Sequence, residues 1–208
     1  MTFFPNRRYD SAGDFAADYF ALTAQGAQSV DRAALSKAGA LLAERTGRGG
    51  VIYSCGNGGS AAIANHLVCD CMKGIRTGST LKPRVHSLSA TVEILTAITN
   101  DIGPEEMFSY QLESLARPDD VLIAISSSGA SPNIVRALNW AKDNGLATIA
   151  MTGFDGGAAA RIADLSLHVG VDNYGVVEDI HQSLMHILAQ YLRLSHLADA
   201  SQIGGIKF

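Results

Sequence analysis

Cysteine is scarce: Cys55, Cys69 and Cys71 are the only three in 208 residues. That number suits reduced, buried thiols in a cytoplasmic protein better than a disulfide framework. Cys69 and Cys71 stand two apart in a helical stretch and point to different sides, which rules out a metal-binding cysteine pair. No apolar run approaches the roughly 20 residues of a transmembrane helix. The opening MTFFPNRRYD lacks the apolar core and cleavage signature of a secretory signal. There is no basic surplus either. A net charge of −4 gives no general attraction to nucleic acid or to an anionic membrane. The Gly-Lys-Ser/Thr ending of a mononucleotide loop is absent, as is the dinucleotide G-x-G-x-x-G spacing, so no nucleotide cofactor is expected. What remains is a cytoplasmic globular protein.

The chain is organised around Val51–Asp70, VIYSCGNGGSAAIANHLVCD. A short β-branched run, Val51–Cys55, leads into Gly56-Asn57-Gly58-Gly59-Ser60 and then an alanine-rich helical stretch. Glycines let the backbone turn tightly and approach a ligand closely. Ser60 is placed to cap the following helix. Free N–H groups at such a helix start favour an anion. His66 and Asp70, four residues apart, share a helical face.

A second small-residue loop follows the apolar run Val121–Ile125: Ser126-Ser127-Ser128-Gly129-Ala130-Ser131, with Pro132 in the first turn of the next helix. Its hydroxyls and backbone N–H groups can surround a phosphate without any lysine. Two ordinary turns with capping residues are the bland alternative. Two such loops, each between an apolar strand and a helix, favour a phosphate cradle over that alternative.

The rest of the chain alternates strands and helices. Ser11–Arg45 is helical, with Gly26 and Gly39 marking breaks or close packing, and its apolar stripe is expected to meet a second subunit. Strands are predicted over Arg84–Leu88, Ala147–Thr152 and Leu165–Val169, and helices over Thr91–Thr99, Met107–Leu115 and Pro132–Asn144. The last helix, Val176–Leu197, repeats Val177, Ile180, Leu184, Ile187, Tyr191 and Leu194, a core face or an oligomer seam. Continuous apolar strands alternating with helices indicate an α/β protein with a buried, doubly wound parallel sheet. One domain over 11–197 is expected, between an irregular N-terminus (1–10) and a C-terminal tail (198–208). Glu178, Asp179, His181 and His186 on the last helix are either functional or a solvated face, capping acids and satisfied core histidines. His186, among Leu184, Ile187 and Leu188, should be at least partly buried. Asp179 and His186 share a face, with Glu178 about 80° away.

With both loops and the histidine-bearing helix in view, the chain resembles the SIS (sugar isomerase) domain family, in its phosphoheptose isomerase branch. The resemblance rests on GNGGS at 56–60, Asn100-Asp101, ISSSGAS at 125–131, TGFDGG at 152–157 and the terminal helix with two histidines. It implies a five-stranded parallel sheet flanked by helices, assembled as a homotetramer with active sites between subunits. It also implies aldose–ketose interconversion of a sugar phosphate through an enediol, with sedoheptulose 7-phosphate as substrate. Carried over by position, Ser60, Ser126, Ser127, Ser128 and Ser131 would hold the phosphate, and Asn57, Gly58, Asp101 and Glu178 would meet the sugar. Asp70 and His186 would be the acid–base pair, and His66, Asp70, Glu178 and His186 would hold one zinc ion. The branch usually has glutamate where Asp70 stands and glutamine where Glu178 stands. The shorter Asp70 side chain puts its carboxylate at risk of misplacement, and a displacement of about 1 Å can be worth on the order of 100-fold in rate. The competing class is a non-catalytic member that binds a phosphosugar or a protein partner such as a replication initiator. The titratable pair Asp70 and His186 argues for the enzyme.

Overall fold

The computed structural model describes residues 3–207. Met1 and Thr2 of the expected irregular N-terminus and Phe208 of the expected tail lie outside the described residues. Five strands form, β1 (Val51–Gly56), β2 (Arg84–Ser87), β3 (Val121–Ser126), β4 (Ala147–Thr152) and β5 (Leu165–His168); the inner three are apolar runs, whereas the edge strand β2 is Arg-Val-His-Ser and largely exposed. They form one parallel sheet in the order β2-β1-β3-β4-β5. All six residues of the central β3 are buried, which is why its sequence shows no polar alternation.

Among the described residues, eight α-helices flank the sheet: α1 (Ala12–Ser29), α2 (Arg32–Gly47), α3 (Gly59–Cys69), α4 (Val92–Asp101), α5 (Ser109–Leu115), α6 (Pro132–Asp143), α7 (Gly157–Ile162) and α8 (Tyr174–Ser195). Alternate strand residues point to opposite faces. Ile52, Ile123, Ile125, Ile149 and Met151 therefore join Leu42, Leu67, Ile180 and Leu184 in one core. Tyr53, Leu122, Ala124 and Ala150 join Leu112, Ile134, Leu138 and Ala159 in the other. The two cores place α2, α3 and α8 on one face and α5, α6 and α7 on the opposite one.

Several local expectations are corrected. The N-terminal helical segment does break, but at Val30-Asp31, where Asp31 Oδ1 accepts from the N–H groups of Ala33 and Ala34 and caps α2. Neither Gly26 nor Gly39 marks a break, and of the two alternatives close packing holds for Gly26. A Cβ on Gly26 would run into Ile180, so this glycine lets α1 lie close to α8, whereas a Cβ on Gly39 would make only ordinary contact with Tyr191. Much of the α1 stripe is thus answered inside the chain, with Tyr19 Oη donating to Asp179 at 2.7 Å. The cap of α3 is Gly58, at φ +54, and Ser60 is buried within the first turn without a side-chain capping bond. Cys55 and Cys71 are buried as expected, whereas Cys69 is exposed; all three are free.

The stripe on α8 divides between the two readings of it. Val177, Ile180 and Leu184 are buried, while Ile187, Tyr191 and Leu194 are exposed. A seven-residue repeat drifts by about 20° per heptad on a straight helix. Further along, the core-facing positions are therefore Met185, Leu188 and Leu192.

Candidate active site

In an open parallel sheet, ligands bind beyond the carboxyl ends of the strands, where the strand order reverses. Here that point lies between β1 and β3, the two strands followed by GNGGS and SSSGAS. A cleft of about 140 Å³ opens there, lined by Asn57, Ser60, Ser126, Ser127, Ser128, Ser131, Tyr174 and Glu178. All five serines assigned to the phosphate from sequence therefore come together. Gly58 stands exposed in the adjoining loop.

Backbone geometry holds the serine loop in place. Gly129, at φ +62, donates its N–H to Ser126, and its carbonyl accepts from Ala159 at 2.9 Å. A Cβ there would collide with the Gly156 carbonyl, so only glycine fits between this loop and the TGFDGG turn. Gly153 N–H donates to the Ser127 carbonyl at 2.8 Å. The Ser127 hydroxyl is buried with no hydrogen-bond partner among the described residues. A buried hydroxyl left without a partner is disfavoured unless a ligand or water meets it.

Helix α8 runs beside α3 and supplies the other wall. The Glu178 carboxylate lies against Gly59, where any Cβ would meet it. Burial, then the nearby Asp179, pushes Glu178 above the ordinary carboxylate value. One turn further, His181 is completely buried, and its Nε2 lies 3.2 Å from the Thr152 carbonyl. A carbonyl only accepts, so Nε2 carries the proton. Burial pushes the imidazole down to about 4, and it stays neutral.

Further along both helices, His66, Asp70 and His186 converge, with one ligand atom from each within 4.8 Å of the others. Asp70 Oδ1 lies 3.3 Å from His66 Nε2, and Asp70 Oδ2 lies 3.0 Å from His186 Nδ1. The carboxylate is the inner member: its side chain is 15% exposed, against 46% and 42% for the two imidazoles. The approach to His186 departs from hydrogen-bond geometry, leaving Oδ2 buried without a donor. Gln182 Nε2 lies 3.0 Å from His186 Nε2. An amide nitrogen can only donate, so in the neutral imidazole the proton is on Nδ1, on the Asp70 side of the ring but not aligned with Oδ2. Asp70 also begins a single π-helical turn, Asp70–Ile75, a distortion frequent at functional sites.

Two of the expected positions fall elsewhere. Glu178 belongs to the serine cleft and not to the histidine cluster. Eight residues of α8 separate it from His186, about 12 Å along the axis. Asp101 is exposed in the last turn of α4, where its Oδ1 accepts from Asn100 Nδ2, and it does not line the serine cleft of its own chain. Sequence reasoning missed Asn133, Gln182 and the π-turn. Gln182 stands four residues before His186, a spacing that places both on one helical face.

The SIS domain family model matches residues 15–153, and the chain belongs to that family. A phosphoheptose isomerase of Geotalea daltonii is 42% identical over 152 residues, covering 73% of this chain and 79% of its own. The enzyme of the same name from Helicobacter pylori is 40% identical over 148 residues, covering 71% and 77%. Among solved structures, phosphoheptose isomerases from Neisseria gonorrhoeae and Francisella tularensis superpose with TM-scores of 0.80 and 0.81. They are 30% and 28% identical, and each match covers 88% of this chain and 98% of the other. Within its family the chain is thus an enzyme of the phosphoheptose isomerase branch, a sugar-phosphate isomerase. The non-catalytic alternative finds no support among these relatives. No helix of the described residues is long and apolar enough to cross a membrane.

Proposed function

We propose that the chain interconverts sedoheptulose 7-phosphate and an aldose heptose 7-phosphate through an enediol. The observation that carries this reading is the Asp70–His186 pair at 3.0 Å, on the helix wall that also bounds a serine-lined anion cleft. Ser60, Ser126, Ser127, Ser128 and Ser131 bind the phosphate through hydroxyl and backbone N–H groups. Asn57, Gly58 and Glu178 meet the sugar. Asp101, outside the cleft of its own chain, is assigned to the cleft of a neighbouring subunit in a homotetramer. Exposed Phe20, Ile187, Tyr191 and Leu194 on α1 and α8 support such an assembly.

In the ketose-to-aldose direction, Asp70 takes a proton from the carbon beside the carbonyl. His186 gives its Nδ1 proton to the carbonyl oxygen, and an enediol results. Asp70 returns its proton to the former carbonyl carbon, and His186 recovers one from the hydroxyl that becomes the aldehyde. Proton transfer by such positioned groups contributes typically 10²–10⁴-fold.

The donor set of His66, Asp70 and His186 fits one zinc ion: two imidazoles and a carboxylate with a buried, donorless oxygen leave a fourth position open. Glu178 is not one of the proposed ligands. Zinc bound there would polarise the substrate carbonyl as a Lewis acid, in place of the proton that His186 donates in the scheme above. The test is turnover of sedoheptulose 7-phosphate followed by NMR, with and without added zinc. Aldose product supports the reading. Tight binding without turnover of this sugar, alongside turnover of a shorter ketose phosphate, moves the substrate assignment.

A further inference from the structure

Asn57, which lines the cleft, and Asn133, which is buried beside it, have their side-chain amides paired. Asn57 Nδ2 donates to Asn133 Oδ1 at 3.0 Å, and Asn133 Nδ2 donates to Asn57 Oδ1 at 3.0 Å. Asn57 belongs to the loop after β1, and Asn133 to the first turn of α6 just past the serine loop. The pair spans the switch point of the sheet and ties together two loops that lie 76 residues apart in sequence.

We infer that Asn133 is a positioning residue for the isomerase reaction: it fixes the Asn57 amide and the spacing of the two loops before substrate arrives. This rests on the reading of the serine cleft as the phosphate site.

The physical case begins with Asn57 itself. It is flanked by Gly56 and Gly58, and Gly58 is in the left-handed region, so the backbone offers little stiffness of its own. The terminal torsion of an asparagine is broad, and an unpaired amide would present oxygen or nitrogen indifferently. The reciprocal pair removes that freedom. Turning one amide by 180° would set oxygen against oxygen and NH₂ against NH₂, so the two orientations are locked to each other. Asn133 is the fixed member because it is buried, with its NH₂ also 3.8 Å from Met107 Sδ. After pairing, Asn57 keeps one N–H and one lone pair, the complement of a sugar hydroxyl that both donates and accepts. Preorganised polar groups lose no orientational freedom on binding, and the affinity gained resides there.

A double-mutant cycle on the full chain tests this, with dissociation constants for inorganic phosphate and sedoheptulose 7-phosphate measured by calorimetry. Asn133→Ala should weaken sugar-phosphate binding by about tenfold in the wild-type background. In an Asn57→Ala background the same change should have no further effect, because the residue it acts through is gone. Equal losses in both backgrounds, or no loss in either, would overturn the inference. Asn133→Asp keeps the shape of the side chain and guards against a folding failure of the alanine variant. It still accepts from Asn57 but cannot donate while ionised, and it sets a negative charge against Asn57, a cleft residue, so phosphate should bind more weakly than to wild type. Unchanged phosphate affinity in that variant would count against the role. A wild-type chain that binds neither ligand overturns the phosphate site and this role with it. Wild-type binding with an additive cycle overturns only the role of Asn133.

Discussion

Asp70 Oδ2 lies 3.0 Å from His186 Nδ1, joining the π-turn that ends α3 to the middle of α8. The branch's customary glutamate has one more methylene, and a carboxylate on a shorter stem would ordinarily stand back from its partner. Here the stem is short, yet Oδ2 stands within ion-pair distance of the imidazole, off hydrogen-bond geometry. The π-turn beginning at Asp70 changes the local path of the helix at the residue that must reach across. The shorter carboxylate is therefore compatible with an acid–base pair.

Ser127→Ala should separate binding from stability. Its hydroxyl is buried without a partner, so removing it leaves no orphaned group behind and the melting temperature should hold or rise. Affinity for the sugar phosphate should fall by about tenfold if that hydroxyl waits for phosphate. Calorimetry beside a thermal melt reads both; a large fall in melting temperature would show that the hydroxyl supports the fold instead.

Gly129→Ala should be damaging on two counts. The residue sits at φ +62, and an added methyl would meet the Gly156 carbonyl. Left-handed backbone alone is worth roughly 1–2 kcal/mol against alanine, and the clash adds to it. Denaturant unfolding should show a loss above that figure, accompanied by weaker phosphate binding.

His181 sets a stability slope in acid. Its folded value, about 4, lies below the ordinary 6.5 because burial disfavours the charged imidazole. Below pH 6.5 the unfolded chain binds a proton that the folded chain refuses. Stability is therefore full above about 6.5 and declines as the pH falls towards 4, by at most about 1.4 kcal/mol per pH unit. Denaturation of His181→Gln across that range should show a shallower decline than wild type; an equal slope would assign the acid sensitivity to other groups.

Glu178→Gln works in the opposite sense. The folded carboxyl is raised above 4.5, so the native state loses stability as the pH rises through its titration. The glutamine variant should be the more stable protein at neutral pH, with the advantage fading below about 4.5. Thermal melts at pH 7 and pH 4 compare the two, and an advantage that persists undiminished in acid would contradict the charge-based cause.

Much of this architecture was legible in the sequence because it depends on local pattern. The apolar runs closed by turn signals became β1, β3 and β4, and the two edge strands were read from shorter, more polar stretches. The two loops that follow β1 and β3 flank the switch point, so the convergence of their serines on one cleft was legible in the sequence. The Asp70–His186 pairing was legible only by resemblance, since nothing local brings residues 116 positions apart together. Asn133 escaped notice because an asparagine after Ser-Pro reads as an ordinary helix start; only the fold sets it opposite Asn57. The displacement of Glu178 from the histidines had a sequence signal, eight residues of helix rise, which the helical-wheel angle alone does not convey. The π-turn at Asp70 has no periodicity that a window of Asp-Cys-Met-Lys-Gly-Ile could reveal.

The most direct test of the central claim is the fate of the proton beside the carbonyl. Sedoheptulose 7-phosphate incubated with the protein in D₂O should yield an aldose carrying deuterium at the former carbonyl carbon, and the remaining ketose should exchange at the neighbouring carbon. Asp70→Asn and His186→Ala, with melting temperatures near that of wild type, should each slow both signals by 100-fold or more. Deuterium incorporation that survives both substitutions would contradict the assignment of this pair as the acid–base machinery.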